Sequence, residues 1–225
     1  DDWVANGFRT CFYVMEYIRG KPLTSFLQLN GVEWIEVLIL QLLNDLHQLH
    51  SKGWVFGDLK PDNLLVTPSP PQIRWLDVGG TTQIGRSIKE YTEFFDRGYW
   101  GLGSRKAEPS YDLFSVAMIF INAAYPKRFK KQVDAVKLLE QKIDQSPLLK
   151  KHKTVIMKAV RGDYSYALDM RKEMIENMNS RFSNQKVRSF RRRSQKNGQK
   201  KRNGRWTETL LLVRSEEHTS ELQSH

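Results

Sequence analysis

The stretch Gly57-Asp58-Leu59-Lys60-Pro61-Asp62-Asn63-Leu64-Leu65-Val66, followed after a short apolar strand and a turn rich in Pro68, Pro70 and Pro71 by Asp77-Val78-Gly79, decides how the 225-residue chain is read. It sets two carboxylates, a lysine and an asparagine in the order that phosphoryl transfer needs. Asp58 can accept the proton of an attacking hydroxyl. Lys60, two residues on, can neutralise charge on a transferring phosphate. Asn63 and Asp77 supply hard oxygen ligands of the kind Mg²⁺ takes. Two linked motifs carry far more weight than either alone.

The spacing Asp-x-Lys-x-x-Asn resembles the catalytic loop of eukaryotic-like protein kinases, and Asp77-Val78-Gly79 resembles their metal-binding Asp-Phe-Gly. Further on, Asp112-Leu113-Phe114-Ser115 resembles the family's Asp-x-x-Ser, whose carboxylate accepts backbone N–H groups of the catalytic loop. A plain helix N-cap is the alternative role for Asp112, and both roles could hold. Over residues 11–180 the chain resembles the C-lobe of bacterial Hanks-type Ser/Thr kinases. The run Arg97 to Asp112, with Ala124-Tyr125-Pro126-Lys127-Arg128-Phe129, is similar more narrowly to YabT-type membrane kinases of spore-forming bacilli.

The resemblance implies an α+β, protein-kinase-like fold, mostly the helical C-lobe with a remnant of the β-rich N-lobe. It implies ATP and Mg²⁺ as cofactors and proteins as substrates. In it Asp58 is the base, Lys60 meets the γ-phosphate, Asn63 and Asp77 hold the metal, and Gly79 and Asp112 give structural support. The segment Cys11 to Ile18, β-branched and aromatic, reads as a strand and resembles the last N-lobe strand running into the hinge. Met15 is then the gatekeeper, Glu16 and Ile18 offer backbone groups to adenine, and Leu65 lies under the adenine.

Three departures stand out. Phe56-Gly57 replaces the usual His-Arg before the catalytic Asp, so a phosphate on the activation segment lacks its usual arginine partner. Ala107-Glu108-Pro109 scrambles the Ala-Pro-Glu that closes that segment. Val78 replaces the middle Phe of the metal motif. Gly57-Asp58-Leu59 is also similar to the loop of aminoglycoside and choline kinases. Lys60 and Gly79 favour a protein substrate over that alternative. A non-catalytic pseudokinase is a third reading, opposed by the intact acid and metal positions. Thr81, Thr82, Ser87, Thr92 and Ser104 lie in the activation segment, and none is singled out for phosphorylation.

Composition bounds the rest. Hydrophobic residues make up 40% of the chain, enough for one sizeable core. A lone cysteine, Cys11, excludes an internal disulfide framework and suits a reducing compartment. No Gly-rich loop precedes Asp58, and the expectation is a chain that lacks most of an N-terminal lobe and has little activity as it stands. Apolar hinge residues such as Tyr13 and Met15 should then lose their cover and promote association. Helical spacing predicts helices over Glu33–His50, Tyr111–Ala124 (nearly all apolar, hence buried), Val133–Ile143, Leu148–Val160 and Tyr164–Asn179. His47 and His50 read as surface or loop-packing residues, because no partner acid is placed for them.

The net charge of +11 is uneven. Residues 186–205 carry ten Lys or Arg and no acid, which leaves the remainder at +1. The expected organisation is 1–20, end of N-lobe and hinge; 21–183, kinase C-lobe; 184–205, a basic disordered tail; 206–213, the start of a transmembrane helix; and 214–225, an artefact. The last piece, Arg214 to His225, matches the translation of a common sequencing-library adapter. Arg191, Arg192, Arg193, Lys200, Lys201 and Arg202 are candidates for contacts with duplex DNA or an anionic membrane surface, and charge does not choose between the two. Trp206 and the apolar run behind it suit a membrane helix following a cytoplasmic domain, at the inner face of a bacterial membrane.

Overall fold

The computed structural model describes residues 2–5, 7–12 and 14–180, the first four by backbone alone. The expectations for Tyr13, the basic tail, residues 206–213 and the adapter-like end lie outside the described residues. The chain divides into two units, 1–174 and 175–225. In the second, residues 175–180 are helical.

The first unit opens with an antiparallel hairpin, β1 (Asp2–Ala5) and β2 (Phe8–Cys11), turning at Gly7 with φ +79°. The strand expected over 11–18 stops at Cys11. Val14 and Tyr17 are more than four-fifths exposed, and among the described residues no strand pairs with 12–18, so β-branched and aromatic content alone builds no ladder. Next, β3 (Lys21–Pro22) leads into α1 (Leu23–Asn30), a helix too short to show in the sequence pattern; it buries Leu23, Phe26 and Leu27 at i, i+3, i+4.

The expected long helix is α2 (Trp34–Ser51), with Ile35, Leu38, Ile39, Leu42, Leu43 and Leu46 buried. Gly53, at φ +84°, ends it by donating its N–H to His50 O at 2.9 Å. Short strands follow. β4 (Trp54–Val55) precedes the catalytic-loop motif, whose Pro61–Asn63 forms one 3₁₀ turn. β5 (Leu64–Val66) and β6 (Ile73–Trp75) make a hairpin in register Leu64↔Trp75, and β5 also pairs β3. β7 (Thr82–Gln83) returns to pair β4, Val55↔Thr82.

After the four-residue helix α3 (Arg97–Trp100) comes α4 (Pro109–Ala124), buried without a break from Tyr111 to Asn122. Its Phe, Val and Ile residues cost a few tenths of a kcal/mol each in helix propensity. Burial returns about 1.5–3 kcal/mol for each such side chain, so packing wins and α4 is the axis on which α2 and α7 rest. α5 (Ala135–Gln145) starts two residues later than expected, because Asp134 caps it by accepting from Lys137 N at 2.9 Å. The helix expected over 148–160 is two: α6 (Pro147–Lys150) and α7 (Lys153–Arg161). His152 makes the break. Its ring is drawn fully into the core, 5.2 Å from Phe120, with Nε2 3.1 Å from Glu36 Oε1. Residues 167–174 are helical again.

The segment between Gly80 and Pro109 is fastened to this frame. Beyond the β4–β7 pair, Ile84 N donates to Gly53 O, Gly85 N to Ala107 O, Ile88 N to Arg105 O and Ala107 N to Arg86 O, all at 2.7–2.9 Å. Val55, Ile88, Ala107 and Tyr111 close a small core beneath it. Asp96, fully buried, caps α3 through Gly98 N and Tyr99 N and accepts from Arg105 Nε and Tyr111 OH. Arg97 reaches Glu108 Oε1, Ser104 O and Ser110 Oγ. Thus Ala107-Glu108-Pro109 serves as an anchor: Glu108 holds Arg97, and Pro109 takes the first position of α4, where its missing N–H is harmless.

At Gly57 no larger residue fits. The φ there is +86°, and a Cβ would lie 2.6 Å from Gly80 O. Gly57→Ala should lower stability by about 1–3 kcal/mol, read as a fall in urea midpoint at constant slope; an unchanged midpoint would contradict the close approach. The Arg97 hydrogen bond holds the Glu108 carboxyl below its ordinary value of 4.5, against a smaller upward push from burial. A depressed carboxyl stabilises the fold above its unfolded-state value and loses that contribution as pH falls through the folded-state one. Glu108→Gln should therefore unfold at lower urea than the parent at pH 7, with the gap closing once pH drops below 4.5. A gap of equal size at pH 3 would contradict this.

Candidate active site

Asp112 sits four residues into α4 rather than at its cap, which is Glu108. It is fully buried. Its Oδ2 accepts from Phe56 N at 2.8 Å and its Oδ1 from Gly57 N at 3.0 Å. The same Oδ2 lies 2.9 Å from His50 Nε2, on the last turn of α2. This corrects the reading of His50 as a surface or loop-packing residue without an acid: it is buried, and its acid stands 62 residues further on. One carboxylate therefore ties α2, α4 and the entrance of the catalytic loop, satisfying two backbone donors that would otherwise be buried without partners.

The next residue is Asp58. Lys60 Nζ donates to its Oδ2, and Thr92 Oγ1 donates to its Oδ1 at 2.9 Å. Lys60 Nζ also donates to Thr92 Oγ1 at 3.1 Å. Carboxylate, ammonium and hydroxyl thus close a ring in which each fixes the other two. Thr92 was one of five undistinguished hydroxyls in the sequence; nothing local to it signals a partner 34 residues away.

Asn63 is buried, and its Nδ2 donates to Asp58 O at 2.9 Å. Its own carbonyl accepts from Leu76 N at 2.9 Å. With Leu64 opposite Trp75, the hairpin brings Asn63 and the Asp77 end of β6 to the same mouth. Asp77 is exposed, and its Oδ1 accepts from Gly79 N at 2.9 Å; a Cβ on Gly79 would press to 3.1 Å from that oxygen. Among the described residues no group of three His, Cys, Asp or Glu forms a metal cage. An amide oxygen and a carboxylate are instead a donor pair suited to Mg²⁺, which keeps waters and phosphate oxygens as its other ligands.

The adenine-side candidates divide. Leu65 lies between Pro22 and Arg74 in the β3–β5–β6 sheet. Glu16 Oε2 accepts from Nη2 of the same Arg74 at 2.6 Å, so Glu16 and Leu65 share a neighbour. Gly20 lets the chain pass close, since a Cβ there would meet Val66 O at 3.0 Å. Met15 is 70% exposed and Ile18 half-buried. The nucleic-acid or lipid candidates in 191–202 fall outside the described residues.

The sequence has counterparts among known proteins. The protein kinase domain profile matches residues 4–192. The chain is 55% identical over 168 residues to serine/threonine-protein kinase YabT of Bacillus subtilis, covering 75% of the chain and 50% of that relative. It is 36% identical over 78 residues to serine/threonine-protein kinase PknG of Mycobacterium leprae, covering 32% of the chain and 10% of the relative. It is 34% identical over 89 residues to serine/threonine-protein kinase ste20 of Emericella nidulans, covering 39% and 10%. The chain thus spans at most half the length of these relatives. The α+β architecture is that of a helical kinase C-lobe with a small β remnant, and the chain belongs to the protein kinase family, among the bacterial Hanks-type kinases.

Proposed function

We propose that the chain carries the catalytic loop of a Ser/Thr protein kinase, one that transfers the γ-phosphate of ATP to hydroxyls of protein substrates. The Asp58–Lys60–Thr92 ring supports this reading above all. Asp58 orients the substrate hydroxyl and takes its proton as the oxygen–phosphorus bond forms and the bond to the departing ADP breaks. Lys60 faces the transferring phosphoryl group, whose charge is spread over its oxygens. Asn63 and Asp77 would hold Mg²⁺, which when bound would neutralise phosphate charge. Leu65, Glu16, Met15 and Ile18 form the adenine side. Thr92 couples the segment that leads into α3 to the proton acceptor, which suits a polypeptide acceptor better than a small molecule.

The basic tail supports an anionic partner for the protein, duplex DNA or an anionic membrane face, and the Trp206–Val213 run behind it supports anchoring at a membrane. Among the described residues no helix is long and apolar enough to cross one.

In a complete homologue, the changes that match Asp58→Asn and Asp77→Asn should each cut ATP-dependent transfer to protein by about 10²–10⁴-fold with the fold retained by circular dichroism. Transfer that is undiminished in either variant refutes the assignment. Transfer to an aminoglycoside or choline, with none to protein, would move the chain to the small-molecule phosphotransferases.

A further inference from the structure

The sequence from Leu113 to Val133 contains no acid, and its only charges are Lys127, Arg128, Lys130 and Lys131, packed into one short loop after α4. The structure puts this loop beside the catalytic loop. Arg128 Nη2 donates to Asp62 Oδ2 at 2.9 Å, and Asp62 lies in the 3₁₀ turn that ends at Asn63. The Arg128 guanidinium also stands 5.0 Å over the ring of Phe95, three residues past Thr92. Both contacts fix the loop against the segment that carries the Asp58–Lys60–Thr92 ring.

The loop is rigidly keyed. Phe129 packs edge-on against Phe94 at 5.3 Å, Trp100 at 6.0 Å and Tyr125 at 6.1 Å. Lys131 Nζ donates to Tyr99 O at 2.5 Å and lies over that ring. Lys127 and Lys130 are exposed, and among the described residues neither has an ion-pair partner. Beyond them opens a cleft of about 500 Å³ lined by Phe129, Lys130, Lys131, Gln141 and Lys142, and by no carboxylate. Asp62 is already engaged by Arg128. Arg128 and Lys131 hold the loop in place, whereas Lys127 and Lys130 are presented on that fixed support with no evident structural purpose. They create a positive field at the mouth of the site.

We infer that the protein substrate carries acidic residues flanking the phosphorylated hydroxyl, and that the Pro126–Lys131 loop recognises them. The inference rests on the kinase reading for the word substrate. An acidic peptide is favoured over a nucleic acid because the patch adjoins the hydroxyl-accepting loop through Asp62 and Phe95, where a substrate chain must pass.

The test measures binding by fluorescence anisotropy, which needs no turnover. One peptide holds a Ser flanked by Asp and Glu; its isostere holds Asn and Gln. The parent and a Lys127→Gln/Lys130→Gln variant, both carrying the basic tail, are compared after circular dichroism shows both folded. The parent should prefer the acidic peptide at least tenfold, with the preference shrinking between about 0.05 and about 0.5 M salt as screening grows. In the variant it should fall below threefold. No preference in the parent, or one that survives the two changes, overturns the inference. So does loss of duplex-DNA binding in the variant with the peptide preference intact, which would assign the patch to nucleic acid. Acid-selective binding by this chain, with a complete homologue that never phosphorylates the peptide, would instead sink the kinase reading alone.

Discussion

One buried carboxylate organises the site. Asp112 cannot face water, so its charge must be met by donors inside the protein. It finds them in Phe56 N, Gly57 N and His50 Nε2. These three come from the turn into the catalytic loop and from the end of α2, so satisfying Asp112 fixes where the loop begins. The position of Asp58 follows from that start, then Lys60 and Asn63, then Leu76 and Asp77 through the Asn63 carbonyl. The support is α4, whose own place is set by apolar burial rather than by helix propensity. A hydrophobic axis thus delivers a polar anchor, and the anchor delivers the chemistry.

The segment after the metal motif depends on a second set of constraints. Gly57 adopts a left-handed φ and admits Gly80 O where a side chain would stand. Gly57 stands where the kinases that the chain resembles commonly have arginine. The segment itself is held by backbone ladders to Gly53–Val55 and by the Asp96 and Arg97 networks. Thr92, carried at its centre, then reaches Asp58 and Lys60. The departures noted in the sequence therefore have local structural partners: Gly57 with Gly80, and Glu108 with Arg97.

Much of this was legible before any coordinates. The catalytic loop and metal motif are contiguous, so their order alone suggests their chemistry. α2 and α4 show a long apolar period, and the bounds expected for them shift by no more than two residues. What stayed hidden depends on contacts distant in sequence. His50 reads as a surface residue because its acid lies across the fold. Thr92 resembles its neighbouring hydroxyls until the chain brings it to Asp58. The Cys11–Ile18 stretch has the right composition for a strand but, among the described residues, no strand partner beyond Cys11. The division of 148–160 follows from His152 entering the core beside Phe120, which a period of 3.6 does not reveal. Of the Pro126–Lys131 loop, the sequence showed only a resemblance through Phe129, and its charge gained meaning from the Asp62 and Phe95 contacts.

Amide hydrogen exchange at Phe56 and Gly57 tests the central role of Asp112 most directly. If its carboxylate anchors the loop, both amides exchange only through global opening and match the slowest amides of α4, while in Asp112→Asn they exchange at least a hundredfold faster with α4 still protected. Exchange of both amides in the parent at the fast rate of the exposed 14–17 segment would contradict the account.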